Sequence, residues 1–384
     1  MAGINEQVSS QLLFLAIDLN RLGEGLVQKA LTELLRLQEE LRREIKLIDQ
    51  NATGYGVRRT NALLSAISKI IDKHYGRIET ETTSSLVSVG EYAAETYART
   101  ANKIFGTELL SIQTTLERIK AIVNTTPLQG NPASAWWKKQ VADTTLRFNS
   151  QMRMGLLAQE TNEQLVTRVL GQQVGSVLTQ TTTGRVRVPL YAQGVLDVSR
   201  KDASSIVRTH TQTVSNNAIQ SVVEENQDII KGQKALVTLD GRTSDICRAR
   251  SGGCWFSDGT PMPESTVQIP FPGPPPWHYN CRTILVPVFK SWAELASEAG
   301  ANADVIAALK ATPEFQSTQS SMDGQVPGDL NYEKWFSTKP VAFQKEVLGP
   351  SKYELWSKGK LSFADMVSPS GRPLTVKELR AKVE

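Results

Sequence analysis

The sequence predicts an α+β protein that is predominantly α-helical, with long N-terminal helices, a small α+β domain and a short C-terminal module. Three observations predict this. Apolar residues recur at steps of three and four through most of the first half of the chain. A short span, Leu236 to Val288, holds all three cysteines, one of three histidines and eight of seventeen prolines, and is bounded by two β-branched runs. A polar stretch then precedes a C-terminal segment in which aromatic residues become dense again.

The first stripe runs from about Val8 to Asp49 through Leu12, Leu15, Leu19, Leu22, Leu26, Ala30, Leu34, Leu37, Leu41, Ile45 and Ile48. Gly23 and Gly25 weaken it locally, and Asn51 to Gly56 ends it. A second helix carries Leu64, Ile67, Ile71, Tyr75 and Ile78, and a third or fourth continues through Tyr92, Thr96 and Ile104 to Val123. Residues 1–125 are therefore expected to form a bundle or an elongated hairpin, whose stripes serve packing within the chain or docking on a partner. Thr125 to Pro132, with two prolines and a glycine in eight residues, marks a boundary. A helical connector follows over 131–194, in which Trp136-Trp137-Lys138-Lys139 reads as a helix edge packed on a core rather than a base-stacking platform. Thr179 to Gly184 and Arg185 to Pro189 look like a loop or a small ribbon, and Gly194 to Asn226 returns to helix.

The central domain is placed at 195–290. Ala235 to Leu239 and Thr283 to Val288 read as strands, and Asp240-Gly241 turns the chain. Thr243 or Ser244 can cap a short helical turn that carries Cys247, which Gly252-Gly253 ends. The long Pro-rich loop that follows needs another restraint, and convergence of Cys247, Cys254, His278 and Cys281 would supply one. His278-x-x-Cys281 has the tight spacing of half a zinc site, while Cys247 and Cys254 lie seven residues apart, a looser pair. Three readings stay open: a structural Zn²⁺ site, a buried Cys–His cluster without metal, and a disulfide or reactive thiol. Asp240, Ser244 and His278 could also form a hydrolase triad, and Cys247 with His278 and Asp240 a cysteine nucleophile set, but no nucleophile turn surrounds them. Capping and turn formation account for Asp240 and Ser244 without catalysis. Neither a GxxxxGK[ST] phosphate loop nor an HExxH helix occurs, and His74 and His210 read as ordinary polar or half-buried residues on helices rather than ligands.

Residues 291–330 should form a short helix, Trp292 to Leu309, and a flexible tether from Thr312 to Asp329. Residues 331–384 are expected to be marginally stable when free and to order on another part of the chain or on a partner. Trp335, Phe343 and Trp356 are the expected anchors.

Formal net charge is +4, which permits nucleic-acid contact without arguing for it. No run approaches the apolar length of a membrane span and no leader pattern opens the chain, so a cytosol-like compartment is expected. An odd number of cysteines does not suggest a disulfide framework.

Asp240-Gly-Arg242-Thr243-Ser244, then Cys247, then Pro275-Pro276 with His278 and Cys281-Arg282, resembles the signature of the Mu F-like head morphogenesis family, the minor head proteins of tailed bacteriophages. Arg208, in Ile206-Val-Arg-Thr209 shortly after Ser204, resembles the helix that precedes that signature. The tail is similar too, through Tyr332-Glu-Lys-Trp335, Phe343-Gln344, Val347-Leu-Gly349, Leu355, Gly359-Lys360-Leu361, Gly371-Arg-Pro-Leu-Thr375 and Leu379. The likeness runs from about Ser204 to the C-terminus. It departs at His210, where a glutamate is expected, at Thr283, where a cysteine is common, and in the extra Cys254. The resemblance implies a non-enzymatic virion protein of few copies, made in the host cytoplasm and located in the head interior or at the portal vertex. It would act in procapsid assembly and in DNA packaging, retention or ejection. Implied partners are the portal protein, a capsid or scaffolding protein and phage double-stranded DNA, with no membrane anchor. The alternative is an enzyme, hydrolase or toxin-like, built on Asp240, Ser244, Cys247 and His278 and carried by the virion.

Overall fold

A computed structural model describes residues 2–48, 57–181, 184–300 and 318–383. It is α+β, about 60% helical, with long N-terminal helices and small sheets, as the sequence predicts. In chain order the elements are α1 (Ala2–Lys46), α2 (Val57–Phe105), α3 (Leu116–Thr125), α4 (Ala133–Leu157), α5 (Asn162–Leu170), the strands β1 (Gly171–Thr181) and β2 (Gly184–Gln193), and α6 (Val195–Glu225). Next come β3 (Ile230–Leu236), α7 (Asp245–Ala249), β4 (Cys254–Phe256), β5 (Ile284–Phe289) and α8 (Trp292–Glu298). The hairpin β6 (Thr318–Ser321) and β7 (Gly324–Pro327), then α9 (Tyr332–Ser337), α10 (Val341–Ser357) and α11 (Val376–Ala381), complete the chain. No helix is long and apolar enough to cross a membrane among the described residues.

α1 is the one long helix expected, and α2 differs from expectation in running unbroken. Gly23 and Gly25 do not interrupt α1, and α2 is a single helix from Val57 to Phe105, because an unbroken buried stripe offsets the modest helix cost of isolated glycines. The expected terminator, Asn51 to Gly56, lies outside the described residues.

The chain divides into two compact units, one of residues 22–88 and 123–211, the other of 1–21, 89–122 and 212–384. These do not follow the boundaries at 125–131, 194 and 290 read from the sequence. Local punctuation such as Thr125 to Pro132 marks where a helix stops. It carries no information about which distant helices then pack together.

In the first of these units, Leu34, Leu37, Leu41 and Ile45 of α1 are buried along with Ile67, Ile71, Tyr75 and Ile78 of α2, so these stripes are spent on packing within the chain. Trp137 is also core, its ring 6.4 Å from Tyr75, while Trp136 donates its indole N–H to the Leu128 carbonyl. A capping box of Thr161 and Gln164 starts α5, and β1 and β2 form a long antiparallel hairpin. His74 is buried further than the polar or half-buried residue expected. It is 2% exposed, with its ring nitrogens 2.7 Å from Glu33 Oε1 and 2.7 Å from Glu40 Oε2. Burial alone would raise Glu33, but bonds from His74, Arg36 and Arg77 outweigh it and hold the carboxyl at about 2.

The second unit is organised on a three-stranded antiparallel sheet in the order β4-β3-β5. β3 starts at Ile230, five residues before the expected Ala235. Gly232 explains why this stretch lacks an evident pattern: a Cβ there would meet the Trp255 carbonyl oxygen at 2.0 Å, so close pairing with β4 demands glycine. Elements far away in sequence complete the core. Phe105, at the end of α2, packs edge-on against Phe289 with ring centroids 4.9 Å apart, and Asn5 Oδ1 accepts from the Phe289 amide at 2.7 Å. Asn226 Nδ2 donates to the Ser111 carbonyl at 3.0 Å, and the Ser111 amide donates to Asn226 Oδ1 at 2.9 Å. The 195–290 segment is thus not self-contained, because its sheet leans on residues near both ends of the helical N-terminal region.

The tail corrects one expectation and decides between the alternatives of another. Residues 318–327 form a hairpin rather than a flexible tether: the Leu239 amide donates to Ser320 O at 3.1 Å and the Met322 amide to Leu239 O at 2.9 Å. The stretch 312–317 and the C-terminal part of the expected Trp292 to Leu309 helix lie outside the described residues. Trp335, Phe343 and Trp356 anchor the tail on other parts of this chain, the first of the two alternatives expected. Trp335 is 1% exposed in a cluster with Leu239, Tyr332, Phe336, Leu348 and Phe363, and Phe343 and Trp356 pack against it. Tyr332 and Phe336 stack at 5.7 Å, and Phe336 meets Trp356 edge-on at 5.2 Å. α10 bends at Gly349, whose φ of 73° opens the turn before Pro350. A second small cluster of Leu355, Leu361, Leu374 and Leu379 closes the tail.

Candidate metal centre

The site begins where the chain leaves β3. At the Asp240 turn, Oδ1 accepts from the Arg242 amide at 3.0 Å, and Thr243 Oγ1 donates to the Thr238 carbonyl. Ser244 is the N-cap of α7, its Oγ accepting from the Cys247 amide at 3.3 Å, which places Cys247 on the inner side of that short turn. On the returning strand, Arg282 clasps Asp240 with two bonds, Nη1 to Oδ2 at 2.7 Å and Nη2 to Oδ1 at 2.8 Å. Burial would raise Asp240, but this bidentate pair outweighs it and holds the carboxyl below its usual range. The two ends of the motif are thereby closed on each other. Arg242 approaches the same carboxylate more loosely, Nε to Asp240 Oδ2 at 3.9 Å, with its side chain 87% exposed. Pro276 follows Pro275 through a cis peptide bond just before His278.

Three of the four predicted ligands converge. Sγ of Cys247, Nε2 of His278 and Sγ of Cys281 lie within 4.8 Å of one another, with Cys247 Sγ 3.1 Å from His278 Nε2 and 3.6 Å from Cys281 Sγ. A tetrahedral ion with Zn–S of about 2.3 Å and Zn–N of about 2.0 Å needs edges of roughly 3.5–3.8 Å, so the two edges at Cys247 fit with small outward movements. His278 Nδ1 donates to the Tyr279 carbonyl at 2.8 Å, which leaves Nε2 as the lone-pair nitrogen that faces the sulfurs. This group could bind a metal ion.

Cys254 does not belong to it. On β4 its neighbour Trp255 packs into the cluster of Ala235, Cys247, Cys281 and Leu285, and adjacent strand residues point to opposite faces. Cys254 therefore faces away, where it lines a cavity of about 280 Å³ with Lys234, Glu264 and Val286, and burial pushes its thiol up to about 11. Strand periodicity would have separated Cys254 from Cys247 had β4 been recognised, but a three-residue strand leaves no readable pattern.

The electrostatics favour one shared proton on the thiol pair. Its hydrogen bond with Cys281 and burial push Cys247 well above the usual thiol range. Burial opposes ionisation of Cys281, but bonds from Cys247 and His278 prevail and pull it well below. Burial would lower His278, yet its interaction with Cys281 raises it. The result is thiolate and imidazole facing each other in a buried site, the donor set a soft divalent ion takes.

The tail locks this loop from outside. Arg248 lies over the Tyr332 ring at 5.2 Å, Tyr332 donates its hydroxyl to the Asp240 carbonyl at 3.0 Å, and Lys352 meets Asp245 at 2.6 Å. None of these contacts has a local sequence signal. Arg208, the upstream family-motif residue, pairs with Glu24 instead, through bonds of 2.5 and 2.9 Å. His210 is buried, its Nε2 meeting the Val123 carbonyl at 3.0 Å, and burial lowers it to about 4.

Cys247 and His278 meet, but Asp240 and Ser244 do not join them as the expected enzyme constellations require. A triad needs a carboxylate on the imidazole nitrogen opposite the nucleophile, and at His278 that nitrogen is held by a backbone carbonyl. Asp240 is turned to Arg282, and the Ser244 hydroxyl serves the helix cap. The adjoining cavity is about 20 Å³, the size of one water.

Compared with protein-family models, with curated proteins and with solved structures, the chain has no significant match.

Proposed function

We propose that the chain is a minor head morphogenesis protein of a tailed bacteriophage, working at the portal vertex in procapsid assembly, and that Zn²⁺ is the ion taken by Cys247, His278 and Cys281. The observation that carries the reading is that the three motif stretches serve one another structurally. Asp240 and Arg282 close the loop, the Cys/His group sits under it, and the motif tyrosine of the tail, Tyr332, bonds the Asp240 carbonyl. Residues recruited to hold a loop, beside a pocket of about 20 Å³, fit an assembly component better than a hydrolase. Zinc would supply cross-linking of a long, strand-poor loop, as structural zinc does in small domains. On this reading the portal protein, a capsid or scaffolding protein and phage DNA are the partners, and the virion is the location.

The reading is tested on the intact chain by co-expression with portal and capsid proteins, followed by sedimentation of the particles formed. The chain should travel with portal-containing particles and carry close to one zinc per chain when purified without chelator. A chain that never associates with particles would remove the head assembly role. A zinc content far below one per chain, with no loss of stability on chelation, would remove the metal.

A further inference from the structure

Four-coordinate structural zinc sites draw all their ligands from the protein, whereas sites with three protein ligands hold an exchangeable molecule in the fourth position. The described residues here offer three. Cys254 is turned to the opposite face of the sheet by strand alternation, and Asp240 has both oxygens on Arg282. Ser244 accepts at the cap of α7. Thr283 is the side chain in contact with a ligand sulfur: it is buried and its hydroxyl donates to Cys247 Sγ at 3.3 Å. A hydroxyl that donates to a ligand sulfur stabilises the thiolate form and is not itself a ligand.

Beside the cluster lies the cavity of about 20 Å³, walled by Cys247, His278, Asn280, Arg282 and Thr283. A site holds one water when it offers about 10–15 Å³ and polar partners, and this one offers both. We infer that the metal held by Cys247, His278 and Cys281 keeps an open fourth position, filled by water and exchangeable for a small anion, with Thr283 setting that opening. This rests on the metal reading proposed above. The small pocket suits a ligand of a few atoms, and with Arg282 paired to Asp240 the exposed Arg242 at its wall supplies the positive charge that favours an anion.

Cobalt(II) titrated into metal-free, full-length protein reports both points, since its visible bands respond to each change of ligand. One equivalent should bind with thiolate-to-cobalt charge transfer, and azide should then shift the ligand-field bands saturably without removing the metal. Thr283→Cys should add charge-transfer intensity for a third thiolate, abolish the azide response and tighten cobalt binding at least tenfold. Cobalt bound in the wild-type protein with bands that azide leaves unchanged would show a closed site and overturn the inference while the metal reading stands. Bands that bleach without shifting, as the anion strips the ion, would overturn it equally. Failure to bind cobalt at all would bring down the metal reading and this inference together.

Discussion

Replacing Trp335 by alanine tests whether the tail is an internal element or a segment waiting for a partner. The indole is 1% exposed, with Tyr332, Phe336 and Phe343 rings at 5.1, 6.4 and 6.2 Å. Truncating such a buried tryptophan costs about 3–5 kcal/mol in lost transfer energy and cavity formation. The Lys339 ammonium 4.8 Å above the ring adds about 0.5–1 kcal/mol. The indole bond to Asp323 adds little, because that carboxylate is half exposed. A total of about 4 kcal/mol corresponds to roughly a thousandfold increase in local opening. With two compact units, a global melt would mix transitions, so the assay is amide hydrogen exchange of the intact, unassembled chain, read at Tyr332–Ser337. Exchange there should accelerate about a thousandfold, while Val341→Ala, at an exposed position, should change it little. An acceleration under about fivefold in the Trp335 variant would mean that the cluster around it does not hold the free chain together, and the anchoring would have to be reassigned to a partner.

Acid should loosen the unit that contains Glu33. A carboxyl lowered from 4.5 to about 2 contributes stability that is complete above about pH 4.5 and lost as pH falls toward 2, at most about 3 kcal/mol. Glu33→Gln should flatten the dependence over that window, and an unchanged slope in urea titrations between pH 5 and 2 would refute the assignment. Asp240→Asn weakens a half-buried bidentate pair and should cost about 1.5–3 kcal/mol, measured as a lower denaturation midpoint, with the exposed Arg242→Ala as a control inside about 0.5 kcal/mol. Gly232→Ala places a Cβ 2.0 Å from the Trp255 carbonyl oxygen, so it should separate β4 from β3 and abolish exchange protection of Cys254 to Phe256. Intact protection in that variant would mean the two strands can part and re-pair without loss.

What the sequence by itself determined is local. The stripes through Leu34, Leu41, Ile67 and Ile71 predicted helices because a period of 3.6 is written in consecutive residues, and Ser244 was legible as a cap because a cap is decided within four positions. The closeness of His278 and Cys281 follows from their spacing, and Cys247 was marked by its residue type. Three features depended on the tertiary structure. Cys254 left the ligand set because the register of β4 on β3 turned it to the other face. Trp335 went to the interior because the turn at Asp240 and the 318–327 hairpin offered it a surface. The two compact units cut across the helices, since Phe105 meets Phe289 and Asn5 meets the Phe289 amide over separations of 184 and 284 residues. Which distant faces meet depends on shape complementarity among many side chains at once, and no window of sequence encodes that.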